Sequence, residues 1–212
     1  MADENVETPW LENDHVALGA RETELRGGEE YRDLMAAQRL MLNRLSGSAL
    51  PADVAREVTA HLEAVTELVS GYQVREHDRV DGWRPDLPGR GNALFPPYVI
   101  DKQEPCRLRG RVTFTRFFLG GNGAAHGGAL PLLFDDALGR VMNLGVPGIA
   151  RTAFLKVNYR RITPIDVELT FEVSRDSIDG RKRWGSGRLI GPNGELLSDA
   201  ECLFLALLPG QG

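Results

Sequence analysis

The chain has 212 residues, of which 42% are hydrophobic and 26% are charged, and these proportions are ordinary for a globular protein. Its formal net charge of −5 argues against general affinity for nucleic acid, which usually shows as a basic surface. No stretch approaches the ~20 apolar residues of a membrane span, and the polar, acidic N-terminus lacks the apolar core of a signal peptide. We therefore expect a soluble, cytoplasmic protein.

The two cysteines, Cys106 and Cys202, do not form a C-x-x-C pair. Their spacing indicates neither a zinc ribbon nor a disulfide framework. We expect two reduced thiols, as is usual in the cytosol, although the spacing alone leaves a bridge between them open.

Residues 1–25 are polar and acidic with little periodicity, and we expect them to form a flexible arm. Residues 26–80 contain two segments, 29–45 and 51–71, in which apolar residues recur every three or four positions. These segments predict an antiparallel helical hairpin as an N-terminal extension. Each helix has one apolar face, which must pack on the following domain, on a second subunit or on another protein.

Residues 81–97 are rich in proline and glycine, which marks a linker. Residues 98–208 then predict an antiparallel sheet with one long helix, which is an α+β fold. Asp179-Gly180 is a strong hairpin signal between two of the strands. Alternating, β-rich segments predict strands at residues 107–116, 152–160, 166–174, 181–190 and 196–207.

The chain is organised around residues 119–139, which begin as a glycine-rich turn and continue as an apolar helix, predicted over residues 128–142. Asp135 and Asp136 lie in the middle of this helix. Neighbours on a helix point about 100° apart, so both acids cannot easily face the core. We expect one to face a cavity and the other a solvated edge or an arginine, because an unpaired buried carboxylate is costly.

The segment His126-Gly127-Gly128 stands at the start of this helix. A helix N-terminus exposes backbone N–H groups that have no partner within the helix. These groups favour an anion, or an oxygen atom that gains negative charge during a reaction.

The sequence H-G-G, followed by an acid nine residues after the histidine, resembles the motif of hotdog-fold acyl-coenzyme A thioesterases, in particular the PaaI-like branch and the thioesterase superfamily. The resemblance covers roughly residues 95–208, about half of the chain, and includes Thr152 at the start of the next strand and the order of the strands. It implies a hotdog domain at residues 98–208, in which an antiparallel sheet wraps a long central helix. It also implies a homodimer or homotetramer with active sites between subunits, and no cofactor, since coenzyme A is part of the substrate.

The resemblance assigns candidate catalytic roles to the central residues. Asp135 would act as general base or as nucleophile, and the sequence does not separate these routes. The Gly127 N–H would polarise the thioester carbonyl. His126 would hold the turn, bind the thioester or orient water, and Asn122 is a second candidate for that assistance. Thr152 would position water or the carboxylate across a subunit interface, and the alternative is an ordinary strand threonine.

Coenzyme A carries phosphates, so basic residues should line the entrance. The basic run from 181 to 183 follows a hairpin, and such a run is more often a solvated face than a phosphate site. A metal site is not expected, because His126 and Asp135 lack a third ligand at zinc-like spacing. The candidates for binding the coenzyme are Gly128, Asn158, Arg160, Arg161, Arg181, Lys182 and Arg183.

In proteins of this family, the segment before the first strand often lies across the acyl site, so residues 81–97 are either a lid or wall of that site or an inert spacer. The acyl group itself stays open, although Phe117, Phe118 and Phe154 would allow a hydrophobic tunnel. The alternative function is a non-catalytic acyl-coenzyme A binding or scaffold protein, in which the N-terminal helices recruit a partner.

Overall fold

The computed structural model describes residues 26–211 of the chain. The predicted acidic arm, residues 1–25, lies outside these residues. Within them, no helix is both long and apolar enough to cross a membrane.

The two predicted N-terminal helices are present as α1, Glu30–Ser46, and α2, Ala52–Ser70. Helix α1 buries Met35 against the rest of the molecule. Helix α2 has no buried residue, and its apolar face is exposed, from Val54 at 37% to Leu68 at 71%. This face is therefore not covered by α1, and no packed hairpin of the two helices is seen.

The strands are β1 Val99–Glu104, β2 Arg107–Thr113, β3 Leu119–Gly121, β4 Ala124–Ala125, β5 Ala150–Tyr159, β6 Glu168–Asp179, β7 Lys182–Ile190 and β8 Leu196–Ala206. Six of them form one antiparallel sheet, in the order β1-β2-β6-β7-β8-β5, with β1 and β5 at its edges. The other two, β3 and β4, form a separate hairpin that precedes the central helix.

The central helix α3, Ala129–Asn143, lies against β2, β5, β6, β7 and β8. Most of its apolar residues are buried, and Phe134 and Leu138 are completely inaccessible to solvent. Gly187 of β7 allows this close approach, because a Cβ atom there would lie 2.8 Å from the Phe134 ring. A long helix packed on an antiparallel sheet is the predicted α+β hotdog layout, which the structure confirms.

Two elements of the fold were missed by the sequence analysis. Strand β1 precedes the first predicted strand, and β3 and β4 are joined by the turn Asn122-Gly123. Both turn residues have positive φ, 51° and 74°, as a two-residue type I′ hairpin requires.

The proline- and glycine-rich linker is held in place by arginine side chains. Arg84 is completely buried, and it binds the Asp86 carboxylate at 2.8 and 2.9 Å. Arg39 of α1 donates hydrogen bonds to the carbonyl oxygens of Phe95, Pro88 and Asn92. The backbone of residues 81–97 is therefore ordered by its contacts and is not a free spacer.

Candidate functional site

Asp135 projects from α3 away from the core, and its side chain is exposed. The Thr152 hydroxyl on β5 donates a hydrogen bond of 2.8 Å to Asp135 Oδ1. The pairing of β5 with β8 shifts in register between Thr152 and Phe154. An irregularity of this kind re-aims the side chains around it. The contact lies within one chain, whereas the family resemblance implied a hydroxyl reaching across a subunit interface.

Asp136 has a different environment, because it lies about 100° further around the helix. It is 7% exposed, and Arg90 binds it through Nη2–Oδ1 at 2.5 Å and Nε–Oδ2 at 3.1 Å. The buried Tyr98 hydroxyl donates a short hydrogen bond to Asp136 Oδ2. Burial raises the pKa of Tyr98 above its usual value, the negative charge of Asp136 raises it further, and Arg140 opposes the shift. Asp136 is thus paired with an arginine, and Asp135 is not.

Both acids line a cavity of about 250 Å³. Thr152 borders it beside Asp135, and the linker contributes Arg90 and Phe95 as one wall. The linker is therefore part of the cavity wall. The remaining polar lining comes from Gln103, Arg140, Asn143 and Arg151, and the apolar lining from Leu108, Gly139, Leu144, Ile149, Ala150 and Phe204.

The three phenylalanines that would allow a hydrophobic tunnel do not line this cavity. Phe118 is buried in the core and packs against Phe114, and Phe117 packs against Phe118. Phe154 is 41% exposed and contacts Trp184 on the neighbouring part of the sheet. Phe117 and Phe118 line a different cavity, between α1 and the segment that follows β2, so none of the three phenylalanines borders Asp135.

The start of α3 keeps one backbone donor available. The Gly128 N–H donates to His126 Nδ1 at 3.0 Å, and the Gly127 carbonyl accepts the Tyr159 hydroxyl at 2.7 Å. Within residues 26–211, no acceptor is paired with the Gly127 N–H. The ring nitrogen Nδ1 of His126 is therefore occupied, and His126 itself is exposed to solvent.

Asn122 is exposed at the tip of the β3–β4 hairpin and does not line the cavity of Asp135. Its positive φ gives it a structural role in the turn. The structure therefore places it apart from the group formed by Asp135, Asp136 and Thr152.

A second cavity, of about 440 Å³, borders Ala125 next to the start of α3. Arg160 and Arg161 both line it. Arg160 forms an ion pair with Asp199, which also accepts a hydrogen bond of 2.8 Å from Asn158 Nδ2. The hydrogen bond from Arg160 is the main reason that the pKa of Asp199 lies below its usual range, and the hydrogen bond from Asn158 lowers this pKa further.

The three side chains of the basic run 181–183 differ in how far they are buried. Arg183 is 3% exposed and donates to the carbonyl oxygens of Met142, Pro147 and Gly148 at 2.7 to 3.0 Å, and to Asn143 Oδ1 at 2.9 Å. Arg183 therefore holds the C-terminal end of α3 and is not available to a phosphate, contrary to the prediction. Arg181 and Lys182 are exposed, and Arg181 Nε binds the Ala206 carbonyl at 2.8 Å.

Three arginines of the first cavity, Arg90, Arg140 and Arg151, were not predicted from the sequence, and neither was Tyr98, which binds Asp136 from the core. Arg90 stands between two glycines in the linker, and its φ of 58° is unusual for a residue with a side chain. A Gly-Arg-Gly sequence in a proline-rich segment gives no local sign that the arginine reaches a carboxylate 46 positions away.

Among solved structures, a thioesterase superfamily protein is 28% identical to this chain with a TM-score of 0.70, and the match covers 82% of this chain and 90% of that protein. A hypothetical thioesterase of Streptococcus pneumoniae TIGR4, solved with coenzyme A, is 22% identical with a TM-score of 0.48, over 51% of this chain and 87% of that one. The E. coli PaaI protein from the phenylacetic acid degradation operon is 16% identical with a TM-score of 0.48, over 51% and 82%. No protein-family model matches the chain.

Residues 98–208 make up about half of the chain, so the match over 82% also includes part of the N-terminal extension. The fold expected from the H-G-G motif and the spaced acid is confirmed by this match. The chain has the α+β hotdog fold, which it shares with the 28%-identical thioesterase superfamily protein.

Proposed function

We propose that the chain hydrolyses an acyl-coenzyme A thioester to a free acid and coenzyme A, with Asp135 as general base or nucleophile. The observation that carries this proposal is the contrast between the two adjacent acids. Asp136 is neutralised by Arg90, whereas Asp135 faces the cavity, with the Thr152 hydroxyl as its hydrogen-bond partner. A carboxylate that is oriented but has no cationic partner is suited to attack a carbonyl or to accept a proton from water.

The chemistry balances in either route. As a base, Asp135 accepts a proton from water while the water oxygen bonds to the thioester carbon. As a nucleophile, it forms an anhydride that water then hydrolyses. In both cases the carbon–sulfur bond breaks, and the departing thiolate takes up a proton. The unpaired Gly127 N–H at the start of α3 would stabilise the oxyanion, and such donors typically contribute about 10²–10³ in rate.

The coenzyme is proposed to bind on the His126 side of the site. Arg160 and Arg161 line the second cavity next to Ala125, and guanidinium groups suit phosphate oxygens. Arg160 shares its guanidinium with Asp199, so Arg161 is the freer of the two. Arg183 is left out of this proposal because of its burial, and Gly128 would contribute only close backbone approach.

We also propose that the functional unit is a homodimer joined through β5. This ten-residue strand lies at the edge of the sheet and carries Thr152. An unpaired edge is a template for pairing with a second chain. Light scattering after size-exclusion chromatography should give twice the mass of one chain, or four times if dimers pair, and the mass of a single chain would contradict this part.

The enzyme proposal is tested by free-thiol release from a panel of acyl-coenzyme A thioesters from acetyl to palmitoyl, including phenylacetyl. We expect turnover of at least one member. The alternative, a non-catalytic binding or scaffold protein, is favoured by the exposed apolar face of α2. Binding of an acyl-coenzyme A in calorimetry, without turnover of any thioester, would establish that alternative.

A further inference from the structure

The cavity beside Asp135 has an excess of positive charge. Its lining contains three arginines, Arg90, Arg140 and Arg151, and two aspartates. Arg90 is matched by Asp136. Arg140 lies near the Tyr98 hydroxyl, and neither Arg140 nor Arg151 forms an ion pair with any carboxylate among residues 26–211.

Two guanidinium groups therefore share a small cavity with one unpaired carboxylate, Asp135. Arg140 is half-buried and Arg151 is exposed. An entering acyl group would shield both from water, and a shielded guanidinium without a counter-charge is costly, so a purely aliphatic chain fits this lining poorly. An anionic group on the ligand would supply the missing counter-charge. Guanidinium groups bind carboxylates strongly, through charge-assisted hydrogen bonds.

The apolar lining and the volume of the cavity indicate the length and the chemistry of the rest of the acyl group. Leu108, Ile149 and Phe204 offer contacts for methylene groups. The 250 Å³ of the cavity corresponds to about eight water molecules at ~30 Å³ each, which is close to the number of non-hydrogen atoms in a five- or six-carbon dicarboxylic acyl group. A sixteen-carbon fatty acyl group has about 17 non-hydrogen atoms, and on the same scale it needs about twice this volume.

We propose that the acyl group accepted by this cavity carries a terminal carboxylate, bound by Arg140 and Arg151, so that the substrate is a thioester of a short dicarboxylic acid. This inference rests on the proposed thioesterase function and names its substrate class. The thioester carbon would lie at Asp135 and Thr152, and the methylene groups would lie between the apolar side chains.

The experiment compares adipoyl-coenzyme A with hexanoyl-coenzyme A, which have the same chain length and differ in the terminal carboxylate. We expect kcat/KM to be at least tenfold higher for the adipoyl thioester. In the double variant Arg140→Gln/Arg151→Gln, this ratio should fall below threefold. Arg109→Gln removes an exposed arginine outside the cavity, and it should leave the ratio unchanged. Equal or faster hydrolysis of hexanoyl-coenzyme A by the unmodified protein would overturn the inference while leaving the thioesterase function standing.

The two arginines could instead meet a phosphate of the coenzyme, which presents similar anionic oxygens. The corresponding N-acetylcysteamine thioesters lack these phosphates and separate the two sources. A preference for the adipoyl compound that persists without the coenzyme, and is lost in the double variant, supports the acyl carboxylate. A preference that is absent from these thioesters, with both coenzyme A substrates weakened equally by the double variant, would assign the arginines to the coenzyme.

If no thioester is hydrolysed, the proposed function fails and the cavity is tested by binding alone. Calorimetry with free adipate and free hexanoate then decides. Tighter binding of adipate, lost in the double variant and kept in Arg109→Gln, supports the carboxylate site. Equal affinity for the two acids overturns it.

Discussion

The Arg90 guanidinium binds the Asp136 carboxylate through two contacts, of 2.5 and 3.1 Å, and thereby joins the linker to the central helix. This pair has two consequences. It places Arg90 and Phe95 in the wall of the cavity, and it neutralises the acid next to Asp135. The linker is therefore fixed to the central helix at Asp136, one residue away from Asp135.

Replacing Asp136 with alanine should lower the free energy of unfolding by about 3 kcal/mol, because a buried carboxylate is removed from Arg90 and from the Tyr98 hydroxyl. Urea denaturation followed by tryptophan fluorescence measures the change. Asp135→Ala is the matched control: its exposed carboxylate is hydrogen-bonded to Thr152, so the loss should stay within about 1 kcal/mol. Equal losses for the two neighbours would contradict the assigned environments.

Replacing Arg183 with methionine should destabilise the protein by about 3 kcal/mol, because the substitution leaves several buried oxygens at the end of α3 without a donor. Thermal and urea denaturation report the loss. Lys182→Met is the adjacent control and should change stability by less than about 0.5 kcal/mol, since its side chain is exposed. An Arg183 variant of unchanged stability but weakened coenzyme binding would restore the coenzyme role predicted from the sequence.

Cys202 should resist alkylation in the folded protein. Burial raises the pKa of its thiol to about 12, whereas Cys106 is exposed. Iodoacetamide at pH 8 should therefore modify Cys106 and reach Cys202 only after denaturation, as mass spectrometry of peptides would show. Modification of both cysteines at similar rates in the native protein would contradict the burial of Cys202.

Because folding raises the pKa of Cys202, the free energy of unfolding should fall at alkaline pH. The folded chain holds the Cys202 proton more tightly than the unfolded chain, in which a cysteine has a pKa of about 8.5. The stabilisation is complete below about pH 8.5 and is lost as the pH rises towards the folded pKa of about 12. Cys202→Ala should flatten the fall in stability between pH 8.5 and the highest pH at which the protein stays folded. An unchanged slope would show that other groups control it.

The variant Asn122→Gly distinguishes a structural role of Asn122 in the turn from a catalytic role of its side-chain amide. Glycine keeps the positive φ of 51° and removes the amide. We expect thioester hydrolysis to stay within about threefold of the unmodified rate, and Asn122→Val to lose about 1 kcal/mol of stability because a β-branched residue strains the turn. A large loss of turnover in Asn122→Gly, with an intact fold, would return Asn122 to the site.

The parts of the fold with a local sequence signal were predicted correctly. The three helices follow from apolar periodicity, and α3 begins and ends within one residue of its predicted bounds. Asp179-Gly180 fixes the β6–β7 hairpin, because a tight turn needs residues that tolerate its backbone angles. The different settings of Asp135 and Asp136 follow from the 100° step of a helix.

The parts that depend on distant contacts were not predictable from local patterns. Strand β1 is mostly polar and lies at the edge of the sheet, so alternation does not mark it. Arg90 and Arg183 look like ordinary surface arginines in the sequence, and only the tertiary structure brings their guanidinium groups to buried oxygens. Periodicity predicted that one face of α2 is apolar, but it does not show whether another element packs on that face.

The role of Asp135 is tested most directly by free-thiol release from the best thioester of the panel, measured side by side for the unmodified protein and for Asp135→Asn. Asparagine keeps the size of the side chain and can still accept the Thr152 hydrogen bond, so the fold should be retained. Asp101→Asn removes an exposed carboxylate paired with Arg111 and serves as the control. We expect a loss of at least about 10²-fold in kcat for Asp135→Asn alone, in line with removal of an essential acid–base group. An unchanged rate would contradict the role of Asp135 as base or nucleophile.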